Sequence, residues 1–397
     1  MSSKTLFFCF FRHVYIRDFN NSIFLFNTSD NSKYIIDDVE MQSIIKKGMD
    51  EYNSAFSIVE NQIEFFRELE GLKFGMIKQS DLPLYTPFTS KFKIENNLDI
   101  IKTENELVFN KQLCSNLMEI NFSLFEVFNI SNIIKRQFLL DGRNSTDLSS
   151  FDFSLIIYLL KNRFQFDNLQ KINIFINSSA VLDKFLVQDL DLSNVYLHVS
   201  TDVYQEKCDT LKSYDNIVVH VYDMDKLFLF DWESNKHSSV VYISNAESFV
   251  DRDFGKILES RILFKPIYDD NSQFFEDNVF VHEQDLLSSD FKLEEIVRNR
   301  IINYNDFGRL FIDMNGQYST NTFINPLGEV SLDNFKEVLL NCHCSEASTW
   351  FKTRETVSPC SSCIYCELCP PITDYEHLFN KFNLCMIKDD IENIRHL

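Results

Sequence analysis

The stretch KINIFINSSAVLDKFLVQDLDLSNVYLHVSTDVYQEKCDTLKSYDNIVVHVY, residues 171–222, alternates short β-branched or aromatic runs with segments of helical length. Its three runs are KINIFINS from residue 171, VYLHVS from residue 195 and IVVHVY from residue 217. Successive runs are separated by enough residues for one helix and two loops. Strands that alternate with helices at this period pair in parallel through crossover connections. The stretch therefore predicts an α/β domain.

The same rhythm continues on both sides of this stretch, with the runs LMEINFSL at 117, VVYIS at 240 and ILFKPIY at 262. From residue 171 onwards, the start-to-start spacings are 24, 22, 23 and 22 residues. Six such strands predict an open or partial (β/α) barrel. A doubly wound sheet is the alternative, because sequence period alone does not separate the two. The interval from 117 to 171 is too long for one helix and predicts an insertion or a long loop.

The rest of the chain divides around this barrel, which we place at residues 111–305. Residues 1–78 predict a small α+β cap, because residues 13–36 alternate as strands and a helical pattern follows. Residues 79–110 contain prolines and several Asn and predict a linker. Residues 306–397 hold most of the cysteines and contain FIDMNGQYSTN (311–321), in which Asn-Gly between β-type residues predicts a hairpin.

Composition narrows the classes of partner. The chain has 38 Lys and Arg against 59 Asp and Glu, a net charge of −21, which argues against nucleic acid and favours a cationic partner such as a basic peptide. No segment reaches the ~18 apolar residues of a membrane span. The apolar run Leu6–Phe11 is too short for a signal peptide, so we expect a cytoplasmic protein with reduced thiols. Only eight glycines occur, and no nucleotide-binding glycine motif is present.

The strongest local pattern is a cysteine cluster near the C-terminus. The segment PCSSCIYCELCPP, residues 359–371, contains three overlapping Cys-x-x-Cys pairs. Four thiolates without an obligatory His fit both tetrahedral zinc and a [4Fe–4S] cluster. Seven of the ten cysteines lie in this part of the chain: Cys342, Cys344, Cys360, Cys363, Cys366, Cys369 and Cys385.

This tail is similar to a SPASM domain, the auxiliary iron–sulfur module of peptide-maturing radical SAM enzymes. Cys360, Cys363 and Cys369 fit the Cys-x2-Cys-x5-Cys run of that module, and Cys385 fits its distant fourth ligand. The resemblance implies one [4Fe–4S] cluster on these four residues. Cys366 is extra to the pattern and is a further candidate ligand, as are Cys342 and Cys344.

The resemblance also has gaps. Gly316 stands where the module has a glycine, but Asn321 and Thr373 occupy positions at which its other cluster takes cysteines. After the first barrel strand, FEVFNISNIIKRQFLLDG (125–142) holds no cysteine, whereas a radical SAM enzyme carries Cys-x3-Cys-x2-Cys there. The resemblance therefore implies one cluster lost, no cluster that cleaves S-adenosylmethionine, and no radical SAM activity. We assign no catalytic and no cofactor-binding residue, and expect His198 and His220 to be packed polar residues of the barrel interior.

Two segments resemble one group in detail: WFKTRETVSPCSSCIYCELCPPITDYEHLFNKFNLC (350–385) and FKPIYDDNSQFFEDNVFVHEQDLL (264–287). The group is the Bacteroidales pseudo-radical-SAM/SPASM proteins, found beside peptide-maturation genes whose short precursors end in Gly-Gly. It implies a non-radical accessory protein that binds the precursor peptide, a partner radical SAM maturase, or both, with the N-terminal cap as a leader-peptide-binding domain. The alternatives are a peptide-modifying enzyme with an unidentified barrel cofactor and a zinc-stapled scaffold.

Overall fold

The structure is a computed structural model of the chain. It describes residues 5–19, 21–50, 54–82, 84, 116–128, 130, 133–138, 140, 153–161, 166, 168–187, 192, 195–227, 237–245, 262–289 and 291–387. The predicted linker at 79–110 lies mostly outside these residues, as does Cys114. No helix among the described residues has the length and apolar character needed to cross a membrane.

The N-terminal part contains two three-stranded antiparallel sheets, with strand orders β5-β1-β6 and β2-β3-β4. Its elements are β1 (Thr5–Phe10), β2 (Val14–Phe19), β3 (Ser22–Asn27), β4 (Lys33–Ile36), α1 (Val39–Asp50), β5 (Ala55–Ile58), α2 (Ile63–Gly71) and β6 (Gly75–Ser80). The predicted meander over residues 13–36 corresponds to β2–β4, and the predicted helix is α1. The sequence interpretation missed β1, α2, β5 and β6; β5 and β6 pair with the two edges of β1. Phe8, Ile45 and Phe66 join these elements in one apolar core.

The central sheet has nine strands in the order β12-β11-β10-β9-β8-β7-β13-β14-β15. The six strands predicted from the repeat are β7 (Glu119–Ser123), β8 (Lys171–Ile176), β9 (Val195–Ser200), β10 (Ile217–Val221), β11 (Ser238–Ile243) and β12 (Ile262–Pro266). All six pair in parallel and in chain order. A doubly wound sheet reverses its strand order at a switch point. The uninterrupted order from β7 to β12 therefore favours the barrel-like alternative.

Helices cover one face of this sheet. The helices between the strands are α3 (Ser154–Lys161), α4 (Ser179–Leu186), α5 (Thr201–Leu211) and α6 (Met224–Leu227). Apolar side chains of α3–α5 share one core with alternate strand residues, such as Ile174, Leu197 and Val219. Because successive strand residues point to opposite faces, the residues between these lie on the other face, called here the inner face. The inner face carries polar and aromatic side chains.

The C-terminal region begins inside the same sheet. β13 (Arg309–Ile312) pairs in parallel with β7 and antiparallel with β14 (Gln317–Ser319), which pairs with β15 (Gly328–Glu329). The predicted hairpin is therefore present, with Gly316 at its turn at φ 75°. The pairing of β13 with β7 joins the described part of this region to the barrel sheet. The remaining helices are α7 (Ser272–Asn278), α8 (Glu283–Leu287), α9 (Leu293–Ile301), α10 (Phe335–Cys344) and α11 (Asp374–Phe379).

Candidate metal centre and barrel face

Five cysteine side chains line one cavity of about 60 Å³ in the C-terminal region. The four ligands predicted from the sequence, Cys360, Cys363, Cys369 and Cys385, all line it. Cys366, which the resemblance left outside the set, lines it as well. The cavity thus has one thiol more than a four-ligand metal centre needs.

Successive tight turns place the first four thiols together. The backbone N–H of Cys363 donates to the carbonyl of Cys360 at 2.9 Å, and that of Cys366 donates to the carbonyl of Cys363 at 3.2 Å. The N–H of Cys369 donates to the carbonyl of Tyr365 at 2.9 Å. In turns of this kind, side chains three residues apart lie on the same side of the segment. The Cys-x-x-Cys period therefore directs all four thiols to one cavity.

Cys385 reaches the cavity from a separate segment. It forms an isolated parallel bridge with Val281, which precedes α8. The N–H of Val281 donates to the carbonyl of Leu384 at 3.0 Å, and the N–H of Met386 donates to the carbonyl of Val281 at 2.9 Å. The position of this thiol therefore depends on residues that are distant in sequence.

Burial sets the protonation of the thiols. Cys360, Cys366 and Cys369 are buried, and Cys363 and Cys385 are partly exposed. Burial raises the pKa of Cys366 to about 12, and it also raises the pKa of Cys360 and Cys369, although the Arg354 charge opposes it there. Such thiols are neutral in the protein alone, whereas a bound cation deprotonates a coordinating thiol. The donor set and its burial fit a thiolate-bound metal or cluster.

The thiols surround a volume that is large for a single ion. About 60 Å³ is several times the ~10–15 Å³ that one water occupies on the same measure. Among the residues that the structure describes, no three Cys, His, Asp or Glu side chains converge as they would around one metal ion.

A buried ion pair between Arg354 and Glu376 holds the cysteine segment in place. The guanidinium of Arg354 binds Glu376 of α11 through two contacts, Nη1 to Oε1 at 2.6 Å and Nη2 to Oε2 at 3.0 Å. Arg354 also donates to the carbonyls of Pro370 and Phe382 and lies 3.6 Å from the Cys360 sulfur. Although burial opposes it, the Glu376 carboxylate raises the pKa of Arg354 above its usual value. Arg354 therefore stays charged beside the thiols, with the Glu376 carboxylate as its counter-ion.

The N-terminal sheet contacts the cysteine segment directly. From β2, Arg17 donates to the Glu367 carboxylate and to the carbonyl of Ser361, each at 3.0 Å. From α9, Arg300 donates to the other oxygen of Glu367 at 2.6 Å. Apolar packing surrounds these charges and involves Tyr15, Phe24, Phe26, Ile364, Tyr365 and Leu368. Glu367 follows Cys366 immediately, so the contact reaches the edge of the five-cysteine cavity.

The structure does not bring the other candidate thiols to the cavity. Cys342 and Cys344 lie at the end of α10 and are not among the cavity residues. Cys342 is fully buried in the barrel core, where burial raises its pKa well above the usual range. Cys344 is exposed. Cys342 is therefore a packing residue, and neither thiol is placed to bind with the other five.

Asn321, where the resembling module has a cysteine, lies in a buried hydrogen-bond network. Its Nδ2 donates to Asp306 Oδ1 at 2.9 Å and to Asp374 Oδ1 at 3.0 Å. Asp306 Oδ2 accepts from Asn303 Nδ2 at 2.9 Å and from His377 Nε2 at 3.2 Å. All but Asp374 are nearly inaccessible to solvent. Amide, imidazole and carboxylate groups therefore pair with one another at this position.

The network extends to the barrel and to α11. Lys265 of β12 contacts Asp374 Oδ2 at 3.4 Å. Burial opposes both charges, but each partner favours the charged form of the other, so the pKa of Lys265 is raised and that of Asp374 is lowered. Thr373, at the other position without a cysteine, caps α11 by accepting from the N–H of Glu376 at 3.4 Å.

A hydrogen-bonded chain of side chains crosses the inner face of the barrel sheet. On β8, Asn173 Nδ2 donates at 2.9 Å to both Glu119 Oε1 and Asn121 Oδ1 on β7. Asn173 Oδ1 is then the acceptor for His198 Nε2 on β9, at 3.2 Å. Since a neutral imidazole has one donor and one acceptor, this assigns the proton of His198 to Nε2.

The chain continues in one direction to the carboxyl ends of the strands. His198 Nδ1 accepts from His220 Nε2 at 2.9 Å, and His220 Nδ1 accepts from the Tyr242 hydroxyl at 2.9 Å. Burial lowers the pKa of His198 to about 3 and that of His220 well below its usual value. Both rings are therefore neutral. The expectation of packed, polar interior histidines agrees with these contacts.

A second cavity of about 130 Å³ lies at the carboxyl ends of the barrel strands. The aromatic rings of Tyr222 and Tyr242 stack beside it, with centroids 4.2 Å apart. Arg136 and the Lys265–Asp374 ion pair bring charged groups to it, and His220 brings the hydrogen-bonded chain to its wall. The sequence interpretation assigned no ligand to this region, and the residues came from separate strands and loops that no local motif connects.

Comparison with known proteins gives distant structural likeness only. No family model matches the sequence, and no curated protein matches it. The chain aligns with Streptococcus suis SuiB bound to S-adenosylmethionine at 12% identity over 96% of this chain and 99% of that chain, with a TM-score of 0.37. It aligns with SuiB bound to the precursor peptide SuiA at 12% identity over 96% of this chain and 100% of that chain, with a TM-score of 0.41. At these TM-scores we assign no residue of this chain from SuiB.

Proposed function

We propose that this chain is a non-radical accessory protein in the maturation of a ribosomally made peptide, of the pseudo-radical-SAM/SPASM kind. It binds the precursor peptide, a partner radical SAM maturase, or both. The observation that carries the proposal is the direct packing of the β2–β4 sheet against the segment that lines the five-thiol cavity. A protein with this arrangement brings a peptide site and a metal centre together without the cysteines for radical initiation.

The proposed metal centre is one [4Fe–4S] cluster on Cys360, Cys363, Cys369 and Cys385. When bound, such a cluster transfers single electrons or cross-links the segments that hold it. The cavity volume and the spread of the thiols support a cluster over a single zinc ion. Arg354 and Glu376 hold the segment in place, and the surrounding apolar side chains limit water at the sulfurs.

Anaerobic purification of the full chain, with iron, sulfide and zinc analysis, tests this centre. We expect roughly four iron and four sulfide per chain and a broad absorption near about 400 nm. Zinc without sulfide would replace this proposal with the zinc-stapled scaffold. The same sample, reduced and mixed with S-adenosylmethionine, should form no 5′-deoxyadenosine above a no-protein control. Its formation would contradict the non-radical assignment.

The proposed peptide site is the outer edge of β4. This strand ends its sheet, and within the described part of the chain no strand pairs with its outer edge. Three of its four residues are partly exposed, whereas most of β2, at the opposite edge, is buried. An extended peptide can add to such an edge through backbone hydrogen bonds. The acidic balance of the chain favours a basic leader segment.

Hydrogen–deuterium exchange on the full chain tests the peptide site. The short precursor from the same gene neighbourhood should protect the amides of residues 33–36, and the β1–β5–β6 sheet provides the internal control. Binding should weaken as salt is raised, because exposed charges are screened beyond ~10 Å at 0.1 M. Binding without protection at β4 would rule out this edge.

The barrel cavity favours a second candidate, a peptide-modifying enzyme with a barrel cofactor. Its polar groups, Arg136, Lys265 and Tyr242, converge on an aromatic-lined space, as in small-molecule sites. Mass spectrometry of small molecules released from the purified chain and from Lys265→Met tests this. A molecule present in the native chain and depleted in the variant would support an enzyme. Its absence from the native chain would leave the accessory function.

A further inference from the structure

The five-cysteine cavity offers more thiols than a four-iron cluster has ligand positions. Cys366 is the surplus thiol by the spacing of the resemblance, yet it is only 1% exposed and lines the same cavity. A surface cysteine would be free to vary without effect on the site. A thiol that is buried between two proposed ligands of the same segment, Cys363 and Cys369, is instead within reach of the same metal centre.

The five thiols differ in how they are held. Cys360, Cys366 and Cys369 are buried in one segment whose turns are fixed by backbone hydrogen bonds. Cys363 and Cys385 are partly exposed, and Cys385 comes from a separate segment that pairs with Val281 and accepts from Arg354 at the Phe382 carbonyl. Solvent and oxidants therefore reach Cys363 and Cys385 first.

The segment around Cys366 is also held from the N-terminal domain. Arg17 bridges the Glu367 carboxylate and the carbonyl of Ser361, on either side of Cys363 and Cys366. Arg300 binds the same Glu367. These contacts keep Cys366 beside the cavity even when a neighbouring ligand is withdrawn.

We propose that Cys366 is an exchangeable fifth ligand, which takes the place of Cys385 or Cys363 when either of these is lost from the cluster. The inference rests on the cluster of the proposed function. In the exchange, one iron–thiolate bond breaks and another forms. The proton of the Cys366 thiol passes to the departing thiolate or to solvent, and no electron is transferred. The exchange keeps four thiolates on the cluster throughout.

Iron and sulfide analysis of anaerobically reconstituted full-length variants tests the exchange. Cys385→Ala and Cys366→Ala should each keep most of the wild-type iron, because four thiols remain. The double variant should lose at least about tenfold, because three thiols cannot complete the site. Cys344→Ala, an exposed cysteine outside the cavity, is the matched control and should equal the wild type. The electron paramagnetic resonance spectrum of reduced Cys385→Ala should differ from that of the wild type, since one ligand has changed.

Two outcomes would overturn the exchange. If Cys385→Ala alone loses as much iron as the double variant, Cys366 does not substitute. If Cys366→Ala alone loses as much, Cys366 is an obligatory ligand. Cys363→Ala with and without Cys366→Ala repeats the comparison, and thermal unfolding shows whether each variant is folded. A wild-type chain without iron and sulfide would instead refute the proposed cluster itself.

Discussion

The five-cysteine cavity and the network around Asn321 lie in the same C-terminal region, but their buried side chains differ in whether they find hydrogen-bond partners within the protein. At the cavity, burial raises the pKa of Cys360, Cys366 and Cys369 and leaves these three thiols as neutral, weak hydrogen-bonding groups. At Asn321, amides, an imidazole and two carboxylates supply donors and acceptors to one another. In the module that this tail resembles, one cluster takes cysteines at the positions of the four predicted ligands, and the other cluster takes a cysteine at the position of Asn321.

The difference separates a region whose polar groups pair with one another from one whose thiols are proposed to bind an added group. Buried polar groups are stable only when they are paired, and the Asn321 network supplies its own pairs. The thiols form a closed structural unit when a cation or cluster binds them. One region should therefore respond to metal removal and the other to loss of a hydrogen-bond partner.

The largest effect is expected from removing two buried thiols of the cavity. Cys360→Ala with Cys369→Ala leaves three thiols, so iron content should fall at least about tenfold even if Cys366 can substitute for one ligand. Cys208→Ala, on α5 and far in sequence from the cluster, serves as control. Iron and sulfide analysis after anaerobic reconstitution measures the change. Retention of wild-type iron would place the metal centre elsewhere.

A large loss of stability without loss of metal is expected at the network. In Asp306→Asn, an amide N–H faces the donors of Asn303, Asn321 and His377, so one or more donors lose their acceptor. Breaking a buried charged network in this way costs about 3–5 kcal/mol. Urea unfolding should show this loss, while iron per folded chain stays at the wild-type value. Asp209→Asn, at an exposed site, is the control and should change little.

Local patterns account for much of this comparison, and long-range contacts account for the rest. The barrel strands and three of the cavity cysteines, Cys360, Cys363 and Cys369, were predictable because period and spacing are local signals, whereas Cys385 came from the family resemblance alone. The Cys-x-x-Cys period also predicts Cys366 on the same side of the segment, but the spacing of the family left Cys366 outside the predicted ligand set. Arg17 and Glu367 meet across 350 positions, and Asn321 meets Asp374 across 53, so no window of sequence contains either contact. The β5-β1-β6 sheet was missed as well, because its strands are distant in sequence and no hairpin turn connects them.

A cysteine placed at position 321 tests whether the network position can bind metal. Asn321→Cys removes the donor shared by Asp306 and Asp374 and should cost about 1–3 kcal/mol of stability. We expect no additional iron or sulfide, because the surrounding groups are carboxylates, amides and an imidazole without other thiols. A gain of iron beyond the wild-type content would show that the two regions are less different than their contacts indicate.

The smallest effect is expected on the pH dependence of stability, from the neutral histidines of the barrel. The pKa of His198 is about 3 in the folded chain because of burial, below the value near 6.5 of an unfolded chain. As the pH falls below about 6.5, the unfolded state binds a proton that the folded state does not, so stability decreases until the pH approaches the folded pKa. Stability from this residue is therefore fully present above about pH 6.5 and is lost on acidification.

Between pH 7 and 5 the wild type should lose roughly 1–2 kcal/mol more than His198→Gln, whose side chain does not titrate. Urea unfolding of both chains at several pH values measures the difference, and His13→Gln is the control. Parallel stability curves for wild type and His198→Gln would mean that this imidazole is protonated in the folded barrel, which its two hydrogen bonds to Asn173 and His220 argue against.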